Sequence, residues 1–475
     1  MRKRFEQQLE IGTIPISEVK IIYKKRDSVS PFLAALQKIY LTPEYNDRIF
    51  NILESWLVRG KSKTGRPGMD LWQIFVLAQF RLSLNISYDD LHDMANNHHN
   101  LRQILGIEKG FGHVRSEIGY QNIIDNVGLL NDQMVKELNA VIVEFGHDVF
   151  KKKATEVLRL KTDSFVVESN VHFPTDYNLL WDCARKCLDT VSFFLEKYPE
   201  IIGWRKINNW YSEAKSMMRS LGKASATGKD KEKRVAIAAQ TYLKKMLVLS
   251  QKIEESQNEL PLNDNSDLLQ LLSLERFLEL LKKHIDLVNR RLLKGETIPQ
   301  QEKMFSIFEQ YTEWVTKGKL HPNVELGKKV AITTDQFGLI IDYRVMNNEA
   351  DSEIVLKVAD KILEKYKIGS WSFDKGFWHK DNWSLLSGYV DKLVMPKKGK
   401  RTLAEEAEET DKTFKRLKMK HSAVESNINE LEHCGLDRCP DRGFDHFKRY
   451  VGLAVTAYNL KRIGRKLWED QKQAA

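Results

Sequence analysis

The chain has 475 residues, which is too long for one ordinary hydrophobic core and predicts about three domains. Hydrophobic residues make up 42% and charged residues 29% of the chain, a balance that excludes a disordered protein. The formal net charge of +10 favours a polyanionic partner without proving one. The 4 cysteines are too sparse to staple such a chain and predict a reducing cytoplasm. We find no signal-peptide pattern and no apolar run of about 18 residues, so no membrane span is expected.

Residues 1–150 are predicted to be mainly helical. The segment 43–57 has apolar residues at a helical period, and the segment 69–84 is almost continuously apolar, which predicts a buried helix. Ser87, with Asp90 three residues later, predicts the N-cap of the next helix. Two short helices joined by a tight turn are compatible with a helix-turn-helix. We therefore predict a helical, helix-turn-helix-like DNA-binding domain.

Strand patterns begin at residue 157, where VLRLKTDSFVV alternates apolar and polar residues. The segment 328–346 predicts a hairpin around a turn at 335–338. Further on, helices and strands alternate: helix 351–366, strand 369–374, helix 378–388, strand 389–396, and helices 411–433 and 445–468.

Between these strands, residues 183–320 return to helical periodicity. One predicted face holds Leu281, Ile285, Val288 and Leu292, and another holds Met304, Phe308, Tyr311 and Val315. Without this block, the order of elements is β-β-β-α-β-α-β-α, which is the order of the RNase H-like α/β fold. The predicted architecture is an RNase H-like catalytic core with a mixed sheet (151–182 and 321–475), an all-α N-terminal domain (1–150) and a large all-α insertion (183–320).

Three carboxylates occupy informative positions in this order. Asp163 lies within the first strand, and Asp374 lies at the C-terminal end of a later strand, where open α/β sheets place their sites. Glu425 follows Val424, a residue of the buried face of its predicted helix, so it lies about 100° round at the edge of that face. Spacing alone would not single out these three among 65 acidic residues. Their places within a strand, at a strand end and at the edge of a helix face are what single them out.

Phosphodiester cleavage accounts for these residue types. An in-line displacement needs an activated nucleophile, a stabilised leaving oxygen and stabilised charge on phosphorus, and two divalent ions about 3.5–4 Å apart supply all three. Hard cations such as Mg²⁺ prefer oxygen ligands and retain several waters. Three carboxylates from separate elements therefore predict a site for two Mg²⁺ ions, with Mn²⁺ as a possible substitute.

Four stretches of the sequence resemble the DDE transposases of bacterial insertion sequences, and most closely the ISNCY-type group. TGRPGMDLWQIFVLAQFRLSLNISYDDL resembles an N-terminal helical domain that several such families share. KTDSFVVESNVHFPTDYNLLWD, SFDKGF and the stretch from His421 to Gly464 resemble the segments of the first aspartate, the second aspartate and the glutamate. The resemblance implies that Asp163, Asp374 and Glu425 are the catalytic metal ligands.

The chain departs from this family around the glutamate. His421 stands where many relatives have an arginine or tyrosine that contacts phosphate, and Glu432 stands where the family has a lysine. The phosphate-holding role is therefore open. Its candidates are Lys420, His421, Arg442 and Arg449.

Other predicted DNA contacts lie in basic or aromatic segments. The linker 58–68 resembles a minor-groove-binding arm, with Lys61, Lys63 and Arg66 as candidates, although a plain linker needs no function. Lys397 and Lys398 belong to a basic loop. Trp378 is a candidate for stacking on an unpaired base, with core packing as the alternative.

Taken together, these features predict a DNA transposase that cleaves the ends of an insertion sequence and joins them to target DNA. Water attack frees a 3′-OH, which then attacks the target. The resemblance implies double-stranded DNA (terminal inverted repeats and target) as the partner, a homodimer on DNA, and a bacterial cytoplasmic, nucleoid-associated location without a membrane. The alternatives are an RNase H-like nuclease without joining activity and a domesticated, non-catalytic DNA-binding protein.

Overall fold

The computed structural model describes residues 2–5, 13–22, 27–60, 68–108, 116–316 and 323–474. The chain folds into two compact units, one formed by Met1–Asn170 with Val315–Ala475 and the other by Val171–Trp314. The N-terminal helices and the sheet therefore belong to the same unit. The division into three domains stays a prediction.

Helices α1 to α7 precede the first strand, as the apolar periodicity predicts. Their bounds are Val29–Tyr40 (α1), Pro43–Leu57 (α2), Leu71–Leu84 (α3), Tyr88–Asn97 (α4), His99–Ile104 (α5), Tyr120–Val127 (α6) and Asp132–Val149 (α7). Helix α3 is buried on nearly all sides, in agreement with its continuous apolar run. The Ser87 hydroxyl accepts from the Asp90 amide at 3.0 Å, which confirms the predicted N-cap of α4.

The sheet belongs to the same unit and is mixed. Its strands are Leu158–Ser169 (β1), Val324–Thr334 (β3), Ile340–Val345 (β4), Ile368–Phe373 (β5), Val390–Val394 (β6) and Arg438–Cys439 (β7). A further short strand is Glu313–Thr316 (β2). Strands β3, β1, β5 and β6 lie side by side in that order. Strand β1 is antiparallel to β3 and parallel to β5, and β5 is parallel to β6. A mixed sheet among many helices is compatible with the predicted RNase H-like core.

The later helices cover both faces of the sheet. They are Asp351–Leu363 (α12), Lys380–Leu386 (α13), Leu403–Thr410 (α14), Lys412–His421 (α15), Ala423–Leu431 (α16) and Phe444–Ala474 (α17). On one face, apolar side chains of α12 pack with Leu158, Leu160 and Trp371 in a continuous core. The segment 411–433 was predicted as one helix, and the structure divides it at Ser422 into α15 and α16.

Helix α17 joins the N-terminal helices to the sheet. It packs against α1, α3 and α7. The side chain of Asn459, fully buried on α17, accepts from the Ile340 amide at 2.9 Å and donates to the Asn139 side chain at 2.8 Å. Because a buried amide left without partners would cost free energy, this network fixes β4 and α7 against α17.

The second compact unit is helical. Its helices are Asp176–Lys197 (α8), Ile207–Ala224 (α9), Lys231–Gln257 (α10) and Asn265–Val288 (α11), which share one apolar core. The predicted helical face of Met304, Phe308, Tyr311 and Val315 is wrong, because residues 301–312 are turns and bends and β2 begins at Glu313. The Ser306 hydroxyl accepts from the amides of Phe308 and Glu309, and this local bonding competes with a helix.

A close helix contact supports a stability prediction in the first unit. A Cβ added at Gly464 of α17 would lie 1.8 Å from the Pro31 carbonyl oxygen of α1. Gly464→Ala must therefore push the two helices apart, and we expect a loss of roughly 2–3 kcal/mol in the free energy of unfolding, measured by denaturant titration. Gly388→Ala is the matched control, since its Cβ would meet nothing closer than 3.6 Å. Equal stability of the two variants would contradict this packing.

Within the described residues, the helices are too short or too polar to span a membrane.

Candidate active site

Strand β1 presents two chemically different faces. Successive side chains of a strand point to opposite sides, so Arg159, Lys161 and Asp163 share one face. On the other face, Leu158 and Leu160 pack into the core under α12. Asp163 is therefore carried by a strand whose reverse side is fixed by apolar packing.

A buried chain of hydrogen bonds aligns the strands next to Asp163. The Trp371 indole donates to the Thr162 hydroxyl at 2.8 Å, and the Thr162 and Thr333 hydroxyls lie 2.7 Å apart. These contacts connect β5, β1 and β3. Thr162 pairs with Phe373 in the parallel register, so Asp163 is level with Asp374, which follows the last residue of β5. The first two predicted carboxylates are thus brought to the same level on neighbouring strands.

Glu425 lies in the first turn of α16, which packs against β1. Val424 is fully buried, while Glu425 is exposed at the margin of the packed face, as the helical periodicity predicts. Asp374 is also exposed, whereas Asp163 is half-buried. The three side chains thus border a surface that a large ligand can reach.

The pKa of Asp163 reports how these charges interact. Burial raises the pKa of this carboxyl to about 6, and the negative charges of Asp374, Asp351 and Glu425 raise it further, against a hydrogen bond from the Ser164 amide that lowers it. Repulsion among carboxylates is what a bound cation would relieve. The local electrostatics therefore favour a cation beside Asp163.

Asp351 is a fourth acidic group whose charge acts on Asp163. Its carboxylate accepts from the Ser164 hydroxyl at 2.8 Å and pairs with the Lys329 ammonium at 3.1 Å. Asp351 is the first residue of α12, and the N-cap of that helix is Ala350, whose amide donates to Glu353. A Cβ added at Gly376 would lie 3.1 Å from the Asp351 carboxylate, so Asp351 also lies against the loop that follows Asp374.

His421 lies between the carboxylates and the basic residues. Its Nδ1 is 3.0 Å from the Ser372 hydroxyl, and its buried Nε2 has no hydrogen-bond partner in the described part of the chain. Burial lowers the pKa of His421, the charge of Asp374 raises it and that of Lys161 lowers it, with a net lowering. The imidazole is therefore neutral at pH 7 and can offer a hydrogen bond beside Asp374 without a positive charge.

The three carboxylates attract a divalent ion by their negative charge, but they do not form a closed coordination shell by themselves. Carboxylate oxygens are the donors that Mg²⁺ prefers. Among the residues that the structure describes, no group of three His, Cys, Asp or Glu side chains is arranged closely enough to hold a metal ion. Asp163, Asp374 and Glu425 thus supply suitable donor chemistry, and a complete site needs further ligands such as phosphate and water.

The residues predicted to contact DNA differ in whether their side chains are exposed or already engaged within the protein. Lys420, Lys398 and Arg442 are exposed. Lys397 pairs with Glu405 at 2.7 Å and lies over the Trp378 ring at 5.2 Å. Trp378 itself is partly buried against the core under α12.

Arg449 differs from the other predicted contacts because its charge is engaged inside the fold. It is 6% exposed, pairs with Asp441 at 3.0 Å and donates to the Gly128 carbonyl at 3.0 Å. The structure therefore does not bring Arg449 to the carboxylates. Lys61, Lys63 and Arg66 lie outside the described residues.

Three basic residues beside the carboxylates were missed by the sequence analysis. Arg159 and Lys161 share the face of β1 that carries Asp163, and Arg416 belongs to α15. The alternation of β1 could have identified the first two, because all three β1 residues are separated by two positions. The position of α15 over this face depends on tertiary packing and left no signal in the sequence.

One of three comparisons with known proteins gave a match. Searches of curated proteins and of solved structures found no significant match. Residues 299–460 match the family model described as Transposase DDE domain, a span that contains Asp374 and Glu425, while Asp163 precedes it. This match supports a DDE transposase family for the chain.

Proposed function

We propose that the chain is a DNA transposase that cleaves the ends of an insertion sequence and joins them to target DNA, with Asp163, Asp374 and Glu425 as its catalytic residues. The observation that carries the proposal is that Asp163 and Asp374 lie level with each other on neighbouring parallel strands, with Glu425 on a helix that packs against β1. The match to the transposase DDE domain independently supports a transposase, over a span that contains Asp374 and Glu425.

The three carboxylates would hold two Mg²⁺ ions, with Mn²⁺ as a substitute. When bound, the ions supply activation of the nucleophile and stabilisation of charge on the phosphate and leaving oxygen. The carboxylates fix the position of the scissile phosphate relative to the sheet. Asp163 is the most shielded of the three, so its charge acts in a medium that screens it less than bulk water does.

Residues around the triad orient it. The Ser164 hydroxyl donates to Asp351, and Lys329 pairs with the same carboxylate, so these two contacts hold Asp351 in place. Because neutral His421 adds no charge to the site, it can donate a hydrogen bond to a phosphate oxygen without competing with a cation for Asp374. Lys420 and the exposed Lys398 and Arg442 are proposed contacts to the DNA backbone.

The partner is proposed to be double-stranded DNA, first the terminal inverted repeats of the element and then the target. Paired ends must be held together during joining, so we propose a homodimer on DNA. A bacterial cytoplasmic, nucleoid-associated location and membership of the ISNCY-type group belong to the same proposal.

The test is cleavage of DNA that carries the ends of the protein's own element. The purified protein is incubated with Mg²⁺, beside Asp374→Ala and beside Asp381→Ala, an exposed aspartate on α13. We expect cleavage at the ends by the wild-type and Asp381→Ala proteins, and none by Asp374→Ala. Pre-cut ends then separate joining from cleavage alone. Cleavage that persists in Asp374→Ala would refute the site, and cleavage without joining would indicate a nuclease.

A further inference from the structure

A cavity of about 250 Å³ lies on the sheet face that carries Asp163. It is formed by β1, β5 and α15, with Gln336 at one side. This volume is many times the roughly 10–15 Å³ that one water molecule requires. Its walls combine the hydroxyls of Ser370 and Ser372 with the stems of long basic residues.

Four cationic side chains line this cavity: Arg159, Lys161, Arg416 and Lys420. None of them forms an ion pair within the described part of the chain. The buried acid Asp335 precedes Gln336 of the cavity wall and is already engaged by His147 at 2.7 Å and by the amides of Phe337 and Leu339. The cavity therefore concentrates positive charge that the protein itself does not neutralise.

Clustered cations without a counter-charge repel one another in the free protein. Lys397 of the same unit, in contrast, has a carboxylate partner in Glu405. An arrangement of unpaired cations around a concave surface is typical of a site for an anion.

The cavity has a fixed place relative to the carboxylates. Lys161 precedes Asp163 by two residues on the same face of β1, and its register partner Ser372 precedes Asp374 by two. At about 3.3 Å per residue, the cavity begins roughly 7 Å from the carboxylates. Neighbouring phosphates of one nucleic-acid strand have a similar separation, so a strand crossing both places would put a second phosphate at the cavity.

We propose that this cavity binds a backbone phosphate of the DNA strand that is cleaved, next to the phosphate held by Asp163, Asp374 and Glu425. Lys161 and Lys420 contact the phosphate, while Arg159 and Arg416 extend the contact along the strand. The proposal rests on the proposed function for the identity of the strand. It assigns phosphate binding to residues of β1 and α15. Of the candidates from the sequence, Lys420 lines this cavity, whereas His421, Arg442 and Arg449 do not.

The test is DNA affinity measured by fluorescence anisotropy with a labelled duplex, without divalent ions, over a series of salt concentrations. Lys161→Met and Lys420→Gln are each expected to weaken binding several-fold at low salt. Each should lower the slope of log affinity against log salt by about 0.9, the value for one lost phosphate contact on duplex DNA. Lys365→Gln, an exposed residue after α12 that does not line the cavity, should match the wild type.

A neutral methylphosphonate placed at single positions beside the mapped cut identifies the phosphate. It should weaken binding of the wild type at one neighbouring position and have no further effect on Lys161→Met. Unchanged affinity and salt slope in both variants would overturn the cavity as a phosphate site, even if cleavage at the ends is observed. Lys420→Gln changes an exposed residue, so a folding defect in Lys161→Met would not prevent the test. Because binding is measured without metal, the affinity result does not depend on whether the protein cleaves DNA, and the two proposals can fail independently.

Discussion

Replacing Asp163 by asparagine is expected to abolish Mg²⁺-dependent DNA cleavage and to raise the stability of the metal-free protein at neutral pH. Loss of the proposed metal ligand removes several kcal/mol of transition-state stabilisation, so we expect a rate loss of about 1000-fold or more. Stability should rise because burial and the facing carboxylates hold the pKa of Asp163 at about 6. The neutral amide removes that repulsion and keeps the shape of the side chain.

The stability effect of Asp163 has a defined pH dependence. In the unfolded chain the carboxyl ionises near pH 4, whereas in the folded protein it ionises near pH 6. The folded state therefore binds more protons between these values, and wild-type stability falls as the pH rises through this window. After allowance for solvent screening, we expect Asp163→Asn to be more stable by about 1–2 kcal/mol above pH 6 and equal to the wild type below pH 4.

Thermal unfolding between pH 4 and 8 measures this difference, with Asp381→Asn as the exposed control. Mg²⁺ should raise the unfolding midpoint of the wild type and of the control more than that of Asp163→Asn, since the ion relieves repulsion that the variant lacks. An Asp163→Asn protein that is less stable than the wild type at pH 7 would show that Asp163 has a structural role. Retained cleavage would remove it from the catalytic set.

The sequence was sufficient for the mixed sheet and for the placement of the main helices. Alternating apolar residues in β1 and the apolar run of α3 each correspond to an element of the structure. The capping residues Ser87 and Asp90 located the start of α4 because their hydrogen bonds are local. Local patterns of this kind do not depend on how distant segments pack.

The sequence was less reliable where local and tertiary preferences compete. Apolar residues from Met304 to Val315 recur at a helical spacing, but the Ser306 hydroxyl caps a turn there, and the chain then enters β2. The break between α15 and α16 at Ser422 likewise has no strong signal such as proline or glycine. Periodicity shows which residues are apolar, and it does not exclude a turn that satisfies the backbone locally.

The candidate site was likewise only partly predictable from the sequence. Asp163 and Asp374 were singled out by their places within a strand and at a strand end, whereas their nearness depends on the parallel pairing of β1 with β5. The contact between Ser164 and Asp351, 187 positions apart, could not be predicted. The same holds for Arg449, a basic residue near the glutamate in sequence that is buried against Asp441. Only tertiary packing decides which charges are paired and which remain available to DNA.

The second helical unit should become unstable in mild acid because of His284. This residue of α11 is 2% exposed, and its Nε2 has no hydrogen-bond partner in the described part of the chain. Burial lowers the pKa of His284 to about 4, with a smaller contribution from Lys283. The unfolded chain takes up the proton near pH 6.5, so the folded state loses stability as the pH falls from 6.5 towards 4.

A shift from about 6.5 to about 4 corresponds to roughly 3 kcal/mol, at 1.36 kcal/mol for each pKa unit. His284→Leu cannot take up the proton, so its stability relative to the wild type should increase by about 3 kcal/mol between pH 7.5 and pH 4. Denaturant titration followed by circular dichroism measures this difference. His433→Gln, which replaces an exposed histidine after α16, should follow the wild type at every pH. Parallel curves for His284→Leu and the wild type would mean that His284 is protonated inside the folded helices, and that the helical core has room for its charge.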